Sequence, residues 1–241
     1  MIAWLESGAP FPPVSRALDR PNGLLAASGS LSVEQLIAAY RLGIFPWYSQ
    51  GDPVLWWCPD PRMVLPTQEF HASWSLRKSL RAIARDESLE LRLDRDFAGV
   101  MRCCAAPRVG QDGTWISPEV ISAYCDLARC DLAHSVELWE KGRLVGAVYG
   151  VSLGRMFYGE SMFSRVRDAS KIALATLVAI LSHEQVPVID CQQRTPHLAS
   201  LGAREIPRRD FCELVAQAVA QSPVQWSTYR GVRLNRYLEK Y

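Results

Sequence analysis

The sequence lacks a hydrophobic segment long enough to cross a membrane. Its longest largely apolar run, Ile172 to Leu181, covers half of the ~20 residues that a spanning helix needs, and it predicts a buried helix instead. The first residues include the acidic Glu6 and no basic stretch, which argues against a secretory signal. We therefore expect a cytoplasmic protein with no part in a membrane.

Metal-ligand patterns and common cofactor motifs are also missing. The seven cysteines form no Cys-x-x-Cys pair, and the four histidines are far apart in the chain, which predicts free thiols and no metal site. The sequence has no Walker loop, no Gly-x-Gly-x-x-Gly and no His-Glu-x-x-His. Their absence argues against the most common kinase, dehydrogenase and zinc-protease functions.

Excess charge of one sign is missing as well. Lysine and arginine total 27 and the acidic residues 25, so the formal net charge is +2. A surplus this small does not indicate a nucleic-acid-binding protein, and such a role needs a local basic patch. What is present is an ordinary globular composition, 49% hydrophobic over 241 residues, which is enough for a full core in one to two domains.

Turn-forming residues dominate the chain up to Pro61, and longer periodic segments follow. We therefore predict a small N-terminal domain over residues 1–62 and a larger domain over residues 63–241. In the first, Ser32 and Gln35 form a capping box and Gly43 provides a stop signal, which together predict a helix over residues 33–42.

A basic stripe marks the next predicted helix, around Trp74 to Arg85. Arg77, Arg81 and Arg85 recur at every fourth residue with Lys78 beside them, and the apolar residues fall on the opposite side. One interpretation is an ordinary solvated helix face. The other is a surface that binds phosphate groups.

Alternating apolar and polar residues from His134 to Met162 predict an antiparallel meander of three strands. In the third strand, strict alternation places Glu160 on the same face as Tyr158 and Met162. If that face is buried, the Glu160 carboxylate is desolvated, and it must be paired or take part in chemistry. The hydrophobic helix that follows can be capped by Asp168 or Ser170.

The short segment VPVIDCQ predicts a strand that ends in polar residues. By alternation, Asp190 and Gln192 point to one side while Ile189 and Cys191 point to the other. Polar groups at the end of a buried strand lie where α/β folds tend to build sites. Alternatively, Asp190 only caps the next turn, and Cys191 is a small buried apolar group. A nucleophile pair of Cys191 and His197 is conceivable, but Cys191 faces away from the polar pair.

Aromatic residues are concentrated just before the predicted domain boundary, and Trp115 follows later in a Gly-Thr-Trp-Ile segment. They fill the joint between the two domains, or one or two of them form a platform on which a nucleobase stacks. The concentrated residues are Phe45, Trp47, Tyr48, Trp56 and Trp57.

Segments spread over nearly the whole chain resemble, in order, the leucyl/phenylalanyl-tRNA–protein transferase family. The most specific are PNGLLA, GIFPW, GTWIS, GESMFS, DCQ and SLGA. The resemblance implies transfer of Leu, Phe or, less well, Met from aminoacyl-tRNA to the N-terminal Arg or Lys of an acceptor protein, marking it for N-end rule degradation.

The resemblance also implies an α/β (α+β) fold. A small N-terminal domain would precede a GNAT-like domain, the type of the coenzyme A-dependent N-acetyltransferases, with a mixed, largely antiparallel sheet. Neither a metal nor an organic cofactor is expected, and nothing in the sequence indicates more than a monomer.

Three polar residues receive catalytic roles from the resemblance. Asp190 and Gln192 match the functional acid and amide of the DCQ motif, so we expect Asp190 to orient the attacking amine and accept its proton, and Gln192 to fix the substrate. Glu160, in GESMFS, is expected to hold the amino group of the aminoacyl substrate or the incoming N-terminus.

Further residues are expected to bind the substrates. Phe157 or Tyr158 and Ile189 would form the pocket for the transferred side chain, while Trp47 and Trp115, with Tyr40 and Tyr124 as weaker candidates, would contact the 3′-terminal adenosine. With the resemblance, the basic stripe of Arg77, Lys78, Arg81 and Arg85 becomes the expected surface for the tRNA acceptor stem. In the QRTP loop after DCQ we carry over no function, and His197 is expected only to pack the loop.

Two other functions compete with this one. An acetyltransferase using acetyl-coenzyme A would have the same fold, but it normally needs a glycine-rich pyrophosphate loop ahead of a helix. The chain has no glycine between Gly159 and Gly202. A non-catalytic RNA-binding module is the second alternative, and it would need neither a buried Glu160 nor the Asp190 and Gln192 pair.

Overall fold

The structure is a computed structural model that describes residues 2–107 and 114–241. Its strands are β1 (Ala3–Leu5), β2 (Leu24–Ser28), β3 (Phe45–Pro46), β4 (Val54–Trp57), β5 (Arg62–Pro66), β6 (Leu89–Leu93), β7 (Ala133–Glu140), β8 (Arg143–Leu153), β9 (Met156–Ser164), β10 (Val188–Gln192) and β11 (Arg204–Ile206). Its α-helices are α1 (Val33–Tyr40), α2 (Trp74–Arg85), α3 (Phe97–Ala105), α4 (Pro118–Arg129), α5 (Ala169–His183), α6 (Pro196–Ser200) and α7 (Arg208–Val219). No helix in the described ranges has both the length and the apolar character that a membrane span requires.

Helix ends follow the capping signals of the sequence. The Ser32 hydroxyl accepts the Gln35 N–H at 3.2 Å, as the capping box predicts, and Ser73 caps α2 in the same way. Helix α1 stops at Tyr40, two residues earlier than predicted, and the chain then turns through Gly43 at φ 74°. The meander of β7, β8 and β9 is confirmed.

Two sheets organise the strands. The smaller has the order β1-β2-β4-β3, and the larger has the order β11-β5-β10-β9-β8-β7-β6. In the larger sheet, β9 and β10 run parallel and the other paired neighbours run antiparallel. The predicted fold class, α and β elements around a mixed and largely antiparallel sheet, is therefore confirmed.

Helices cover both faces of the large sheet. Helices α2 and α5 pack with the C-terminal segment on one face, in an apolar cluster that includes Leu80, Ile172 and Trp226. Helices α1, α3, α4 and α7 share the opposite cluster with the small sheet. This second cluster joins residues such as Trp56 of β4 to Tyr158 of β9, so the small sheet is held against the large one by a common core.

The small sheet ends at Trp57 and the large sheet begins at Arg62, next to the predicted domain boundary at residue 62. Because the two sheets share one apolar cluster, the division into domains 1–62 and 63–241 stays a prediction.

Strict alternation fails at two β-bulges, where an extra residue on one strand changes the side to which later residues point. In β9, Glu160 is the extra residue, because Ser161 pairs with Tyr149 and Gly159 pairs with Gly150. Tyr158 and Met162 therefore lie in different apolar clusters rather than on one face. In β10, Cys191 is the extra residue, because Asp190 pairs with Val64 and Gln192 with Met63.

The PNG turn fixes the segment that leads into the large sheet. The Asn22 side-chain amide donates to the Asp60 carbonyl at 3.0 Å and accepts the Asp60 N–H at 3.1 Å. Gly23 has φ 89°, and a Cβ on it would lie 2.4 Å from Pro59 Cα. Both features exclude a side chain at residue 23.

Gly23→Ala therefore tests this turn. Gly231, at φ 71°, provides a matched control because a Cβ there would meet nothing within 4 Å. We expect Gly23→Ala to lower the free energy of unfolding by ~1–3 kcal/mol more than Gly231→Ala does, because it adds a backbone clash to the same unfavourable φ. Denaturant unfolding of the two variants measures the difference, and equal losses would contradict this role of Gly23.

Candidate active site

A cavity of about 460 Å³ opens where β9 and β10 separate. The two parallel strands pair only at Phe157 with Ile189 and at Tyr158 with Asp190, and they diverge at the two bulges. Apolar walls come from Phe45, Val148, Met162, Leu174, Leu177, Ile189 and Leu198, and a polar end comes from Glu160 and Gln192. A pocket of this kind accepts an apolar side chain attached to a polar group.

Glu160 is held at the polar end by neutral donors. Its Oε1 accepts hydrogen bonds from the Tyr40 hydroxyl at 2.7 Å and from Gln192 Nε2 at 3.0 Å, and its Oε2 accepts one from the Tyr124 hydroxyl at 3.3 Å. Loss of water raises the pKa of Glu160 to about 7, against the lowering effect of the tyrosine hydrogen bonds. Among the described residues, no Lys, Arg or His forms an ion pair with it.

Gln192 has a backbone conformation that few residues other than glycine adopt, with φ 59°. Its N–H donates to Asp190 Oδ1 at 2.9 Å, and its side-chain Nε2 donates to Glu160. The structure thus brings Asp190, Gln192 and Glu160 together, as the resemblance implies, although it does so through the bulge rather than through regular alternation.

The structure corrects the expected placement of Asp190. Its side chain has 0% exposure, it does not line the cavity, and both of its carboxylate oxygens accept hydrogen bonds from Arg62 at 2.6–2.7 Å. Direct contact with an incoming amine is therefore incompatible with this arrangement. The placement supports a role for Asp190 in positioning Gln192.

Three other expected contacts are corrected in the same way. Tyr40, Tyr124 and Phe157 are buried and do not line the cavity. The hydroxyl oxygens of the two tyrosines instead lie 2.5 Å apart, and both hydroxyls contact the Glu160 carboxyl. Ile189 does line the cavity, as expected, whereas Tyr158 turns its hydroxyl to the Tyr40 carbonyl.

Trp47 and Trp115 stand between two cavities. Both line the apolar cavity described above and also a second, more polar cavity of about 860 Å³ that reaches Asp52 and Thr114. Trp47 is 44% exposed, so an aromatic face is open to a ligand. This position, at the mouth of the apolar cavity, suits a planar base attached to the group inside it. Gly113 of the Gly-Thr-Trp-Ile segment lies outside the described residues.

The basic stripe is exposed along α2, as the pattern predicts. Arg77, Lys78, Arg81 and Arg85 all face solvent, while Leu76, Leu80 and Ile83 are buried. Within the described ranges, none of the four cations pairs with an Asp or Glu side chain; Arg77 and Arg81 donate to the main-chain oxygens of Ala72 and Tyr241. The stripe is therefore a free basic surface.

Sequence reasoning missed several residues of these surfaces. The apolar wall from Leu174 and Leu177 belongs to α5, which an all-round hydrophobic pattern marks only as buried. Trp74 precedes the stripe and is 80% exposed. Its position as a tryptophan on the polar side of an amphipathic helix is the sequence signal that could have identified it as a surface residue. Arg62 had no local signal.

Nucleophile and metal sites find no support in the described residues. Burial raises the pKa of the Cys191 thiol, which opposes a nucleophile pair with His197, although both residues line the cavity. The segment from Gly150 to Gly154 has the Gly-x-Ser-x-Gly spacing of a hydrolase, but Ser152 is buried within β8 and accepts the Trp226 indole N–H at 3.1 Å. No group of metal-ligating side chains occurs in the described ranges.

Two family models match the chain. The model of the leucyl/phenylalanyl-tRNA protein transferase matches residues 64–216, and the model of the N-terminal domain of the same transferase matches residues 29–60. The chain belongs to the leucyl/phenylalanyl-tRNA–protein transferase family. The leucyl/phenylalanyl-tRNA–protein transferase of Burkholderia vietnamiensis is 58% identical over 230 residues, covering 94% of this chain and 91% of the relative. That of Bordetella bronchiseptica is 57% identical over 234 residues, covering 95% and 92%.

Two solved structures resemble this member of the transferase family weakly. The C-terminal domain of a putative lysylphosphatidylglycerol synthetase from Agrobacterium fabrum aligns with a TM-score of 0.39 at 13% identity, covering 88% of this chain and 64% of that chain. A GCN5-related N-acetyltransferase-like protein from Streptococcus suis aligns with a TM-score of 0.33 at 16% identity, covering 75% and 67%.

Glu160→Gln tests the electrostatics of the site in this transferase. A carboxyl whose folded-state pKa is raised contributes stability that is complete below its unfolded pKa and is lost as the pH rises through the folded pKa. We therefore expect the stability of Glu160→Gln relative to wild type to increase as the pH rises from 4.5 to about 7. Denaturant unfolding at several pH values measures this, with the exposed Glu87→Gln as control. Parallel pH dependences of the two variants would contradict the buried-carboxyl interpretation.

Proposed function

We propose that this chain transfers Leu, Phe and, less well, Met from aminoacyl-tRNA to the N-terminal Arg or Lys of acceptor proteins, which marks them for N-end rule degradation. The observation that carries the proposal is an apolar cavity that ends at a carboxylate without a cationic partner among the described residues. An aminoacyl group has the matching features, because its side chain is apolar and its amino group is charged.

Glu160 then binds the α-ammonium group of the aminoacyl ester. The side chain of Leu or Phe enters the apolar cavity between α5 and the sheet, against Leu174, Leu177 and Ile189. The aminoacyl-adenosine continues toward Trp47 and Trp115, where the base stacks on an indole. This arrangement places the ester carbonyl beside Gln192, at the polar end of the cavity.

Gln192 orients the attacking amine. Its Nε2 donates to Glu160, whereas its Oε1 has no hydrogen bond among the described residues and accepts one from the incoming α-amine. A terminal α-amine has a pKa of ~7.7–8.0 and is partly neutral at cytosolic pH, so little activation is needed. Correct placement of the amine against the carbonyl supplies most of the acceleration.

The reaction is an aminolysis of an ester that is already activated. The amine nitrogen forms a bond to the ester carbonyl carbon, and the bond from that carbon to the ribose oxygen breaks. The proton that the amine loses ends on the departing ribose hydroxyl, so no external reactant is consumed. In this assignment Glu160 and Gln192 contact the substrates, and Asp190 acts by positioning Gln192.

The decisive assay offers radiolabelled leucine, as charged tRNA, to peptides that begin with Arg, Lys or Ala. We expect label to move to the Arg and Lys peptides and not to the Ala peptide. The same peptides with uncharged tRNA and free leucine provide the control, since the energy of the ester is then absent. No transfer to any peptide, with charged tRNA still bound, would favour a non-catalytic RNA-binding module.

The tRNA acceptor stem is proposed to lie on the basic stripe of α2. Its four cations are exposed and lack Asp or Glu partners among the described residues, and the exposed ring of Trp74 lies at the start of the same helix. Arg167 extends this surface, since its Nη2 donates to Ser75 Oγ at 3.3 Å. Phosphates attract such a surface regardless of base sequence.

Replacing Arg77, Lys78, Arg81 and Arg85 with Gln tests the surface. We expect KM for aminoacyl-tRNA to rise and the dependence of log KM on log salt to become shallower by ~0.7–0.9 for each lost phosphate contact. Aminoacyl-adenosine, which lacks the stem, provides the control substrate, and its KM is expected to stay unchanged. If the variant and the wild type have the same salt dependence of KM for full-length tRNA, the stripe is an ordinary solvated helix face.

A further inference from the structure

Arg62 is a fully buried cation at the start of β5. Its side chain has 0% exposure, and its guanidinium carbon lies 4.7 Å from the centre of the Phe45 ring and 4.5 Å from that of Phe211. Phe45 belongs to the small sheet and also lines the apolar cavity, while Phe211 belongs to α7. The guanidinium is thus clamped between two aromatic rings beneath the site.

Both oxygens of Asp190 are bound by this clamped guanidinium. Arg62 Nε donates to Oδ1 at 2.7 Å, and Nη2 donates to Oδ2 at 2.6 Å. Such two-point contacts fix the plane of the carboxylate as well as its position. A lysine ammonium in the same place would provide one charge without that orientation.

The orientation of Asp190 determines the conformation of Gln192. Asp190 Oδ1 also accepts the Gln192 N–H at 2.9 Å, and Gln192 has φ 59° at the bulge of β10. A residue other than glycine is unfavourable in this region of φ and returns to the extended region unless a specific contact holds it. In the extended conformation, its side chain leaves the side of the strand on which Glu160 lies.

We infer that Arg62 is a positioning residue for the transfer reaction, which acts through Asp190 to keep the Gln192 amide against Glu160. The inference rests on the proposed function, because it assigns Gln192 the contact with the attacking amine. Three hydrogen-bonded steps connect Arg62 to Glu160, and Arg62 itself never reaches the cavity.

A pair of double variants separates this role from simple charge neutralisation. Arg62→Met with Asp190→Asn and Arg62→Met with Asp190→Leu both remove the two buried charges, and replacing a buried ion pair in this way is often neutral for stability. Only the asparagine retains an oxygen that accepts the Gln192 N–H. We expect the leucine variant to lose ~100-fold more in kcat than the asparagine variant, because misplacement of a reacting group costs about that much.

Each alternative explanation predicts equal kcat values for the two double variants. If Arg62 and Asp190 only stabilise the fold, both folded double variants have the kcat of the wild type. If the Asp190 carboxylate itself accepts the proton, both variants are equally inactive. Either result overturns the inference, and a wild type without any transfer activity would instead contradict the proposed function.

Arg62→Lys adds a readout that a purely structural residue would not change. We expect kcat to fall by ~10–100-fold while KM for aminoacyl-tRNA changes by less than about threefold, since the cavity and the basic stripe are untouched. Arg155→Lys is the matched control, because Arg155 forms an ion pair with Glu184 at 3.5 Å and neither residue lines the cavity. We expect this variant to alter stability alone. Equal kinetics for the two lysine variants would argue against positioning by Arg62. If Arg62→Lys fails to fold, Arg62→Gln, which removes the charge but keeps a side-chain donor, is compared with wild type in the same way.

Discussion

A guanidinium and a carboxylate that are both shielded from water must remain together, because separation leaves an uncompensated charge in an apolar core. Arg62 and Asp190 are such a pair, and each comes from a different strand of the large sheet. The ring of Phe45 attaches the small sheet to the guanidinium, and the ring of Phe211 attaches α7. One ion pair therefore fixes two sheets and a helix relative to one another directly beneath the cavity.

The two carboxylates of the site differ because only one has a cation. Asp190 is neutralised by Arg62 and has both oxygens occupied, so it is unsuited to binding another charged group. Glu160 receives only neutral donors among the described residues, and desolvation raises its pKa to about 7. In the proposed function, an ammonium group that enters the cavity supplies the missing charge and is bound for that reason. Environment rather than residue type thus separates a positioning role from a binding role.

Local signals in the sequence predicted the elements well, because caps and apolar periodicity act within a few residues. Ser32 caps its helix as predicted, and the exposed and buried sides of α2 follow its pattern, whereas Asp168 begins α5 without a side-chain cap hydrogen bond. The direction of the site side chains was not predictable in the same way. Alternation assumes one residue per step, and the bulges at Glu160 and Cys191 break that rule through pairing with other strands.

Resemblance identified which residues gather at the site, but it gave no information about their orientation. Tyr40 and Tyr124 were expected beside the adenosine, yet their hydroxyls, which come from α1 and α4, donate hydrogen bonds to the Glu160 carboxyl. Arg62 had no signal at all, because its partner is 128 positions away and only the pairing of β5 with β10 brings them together. Long-range contacts of this kind depend on the whole sheet.

The chain ahead of α5 explains why a large polyanion suits this fold better than a small phosphate cofactor in the cleft. A helix N-terminus attracts phosphate through its free N–H groups, but here Asp168 places a carboxylate at that end, bound to Ser79 and Lys171. Asp168 also pairs with Arg167 at 3.5 Å, so its charge is compensated, and it is the glycine-free chain ahead of the helix that offers a pyrophosphate no close approach to the backbone. The four exposed cations of α2 lie instead on its outer face, where, in the proposed function, they follow the backbone of a nucleic acid whose end reaches into the cavity. In the proposed function, the tRNA phosphates bind outside, on α2, while only the ester and its side chain enter the apolar space.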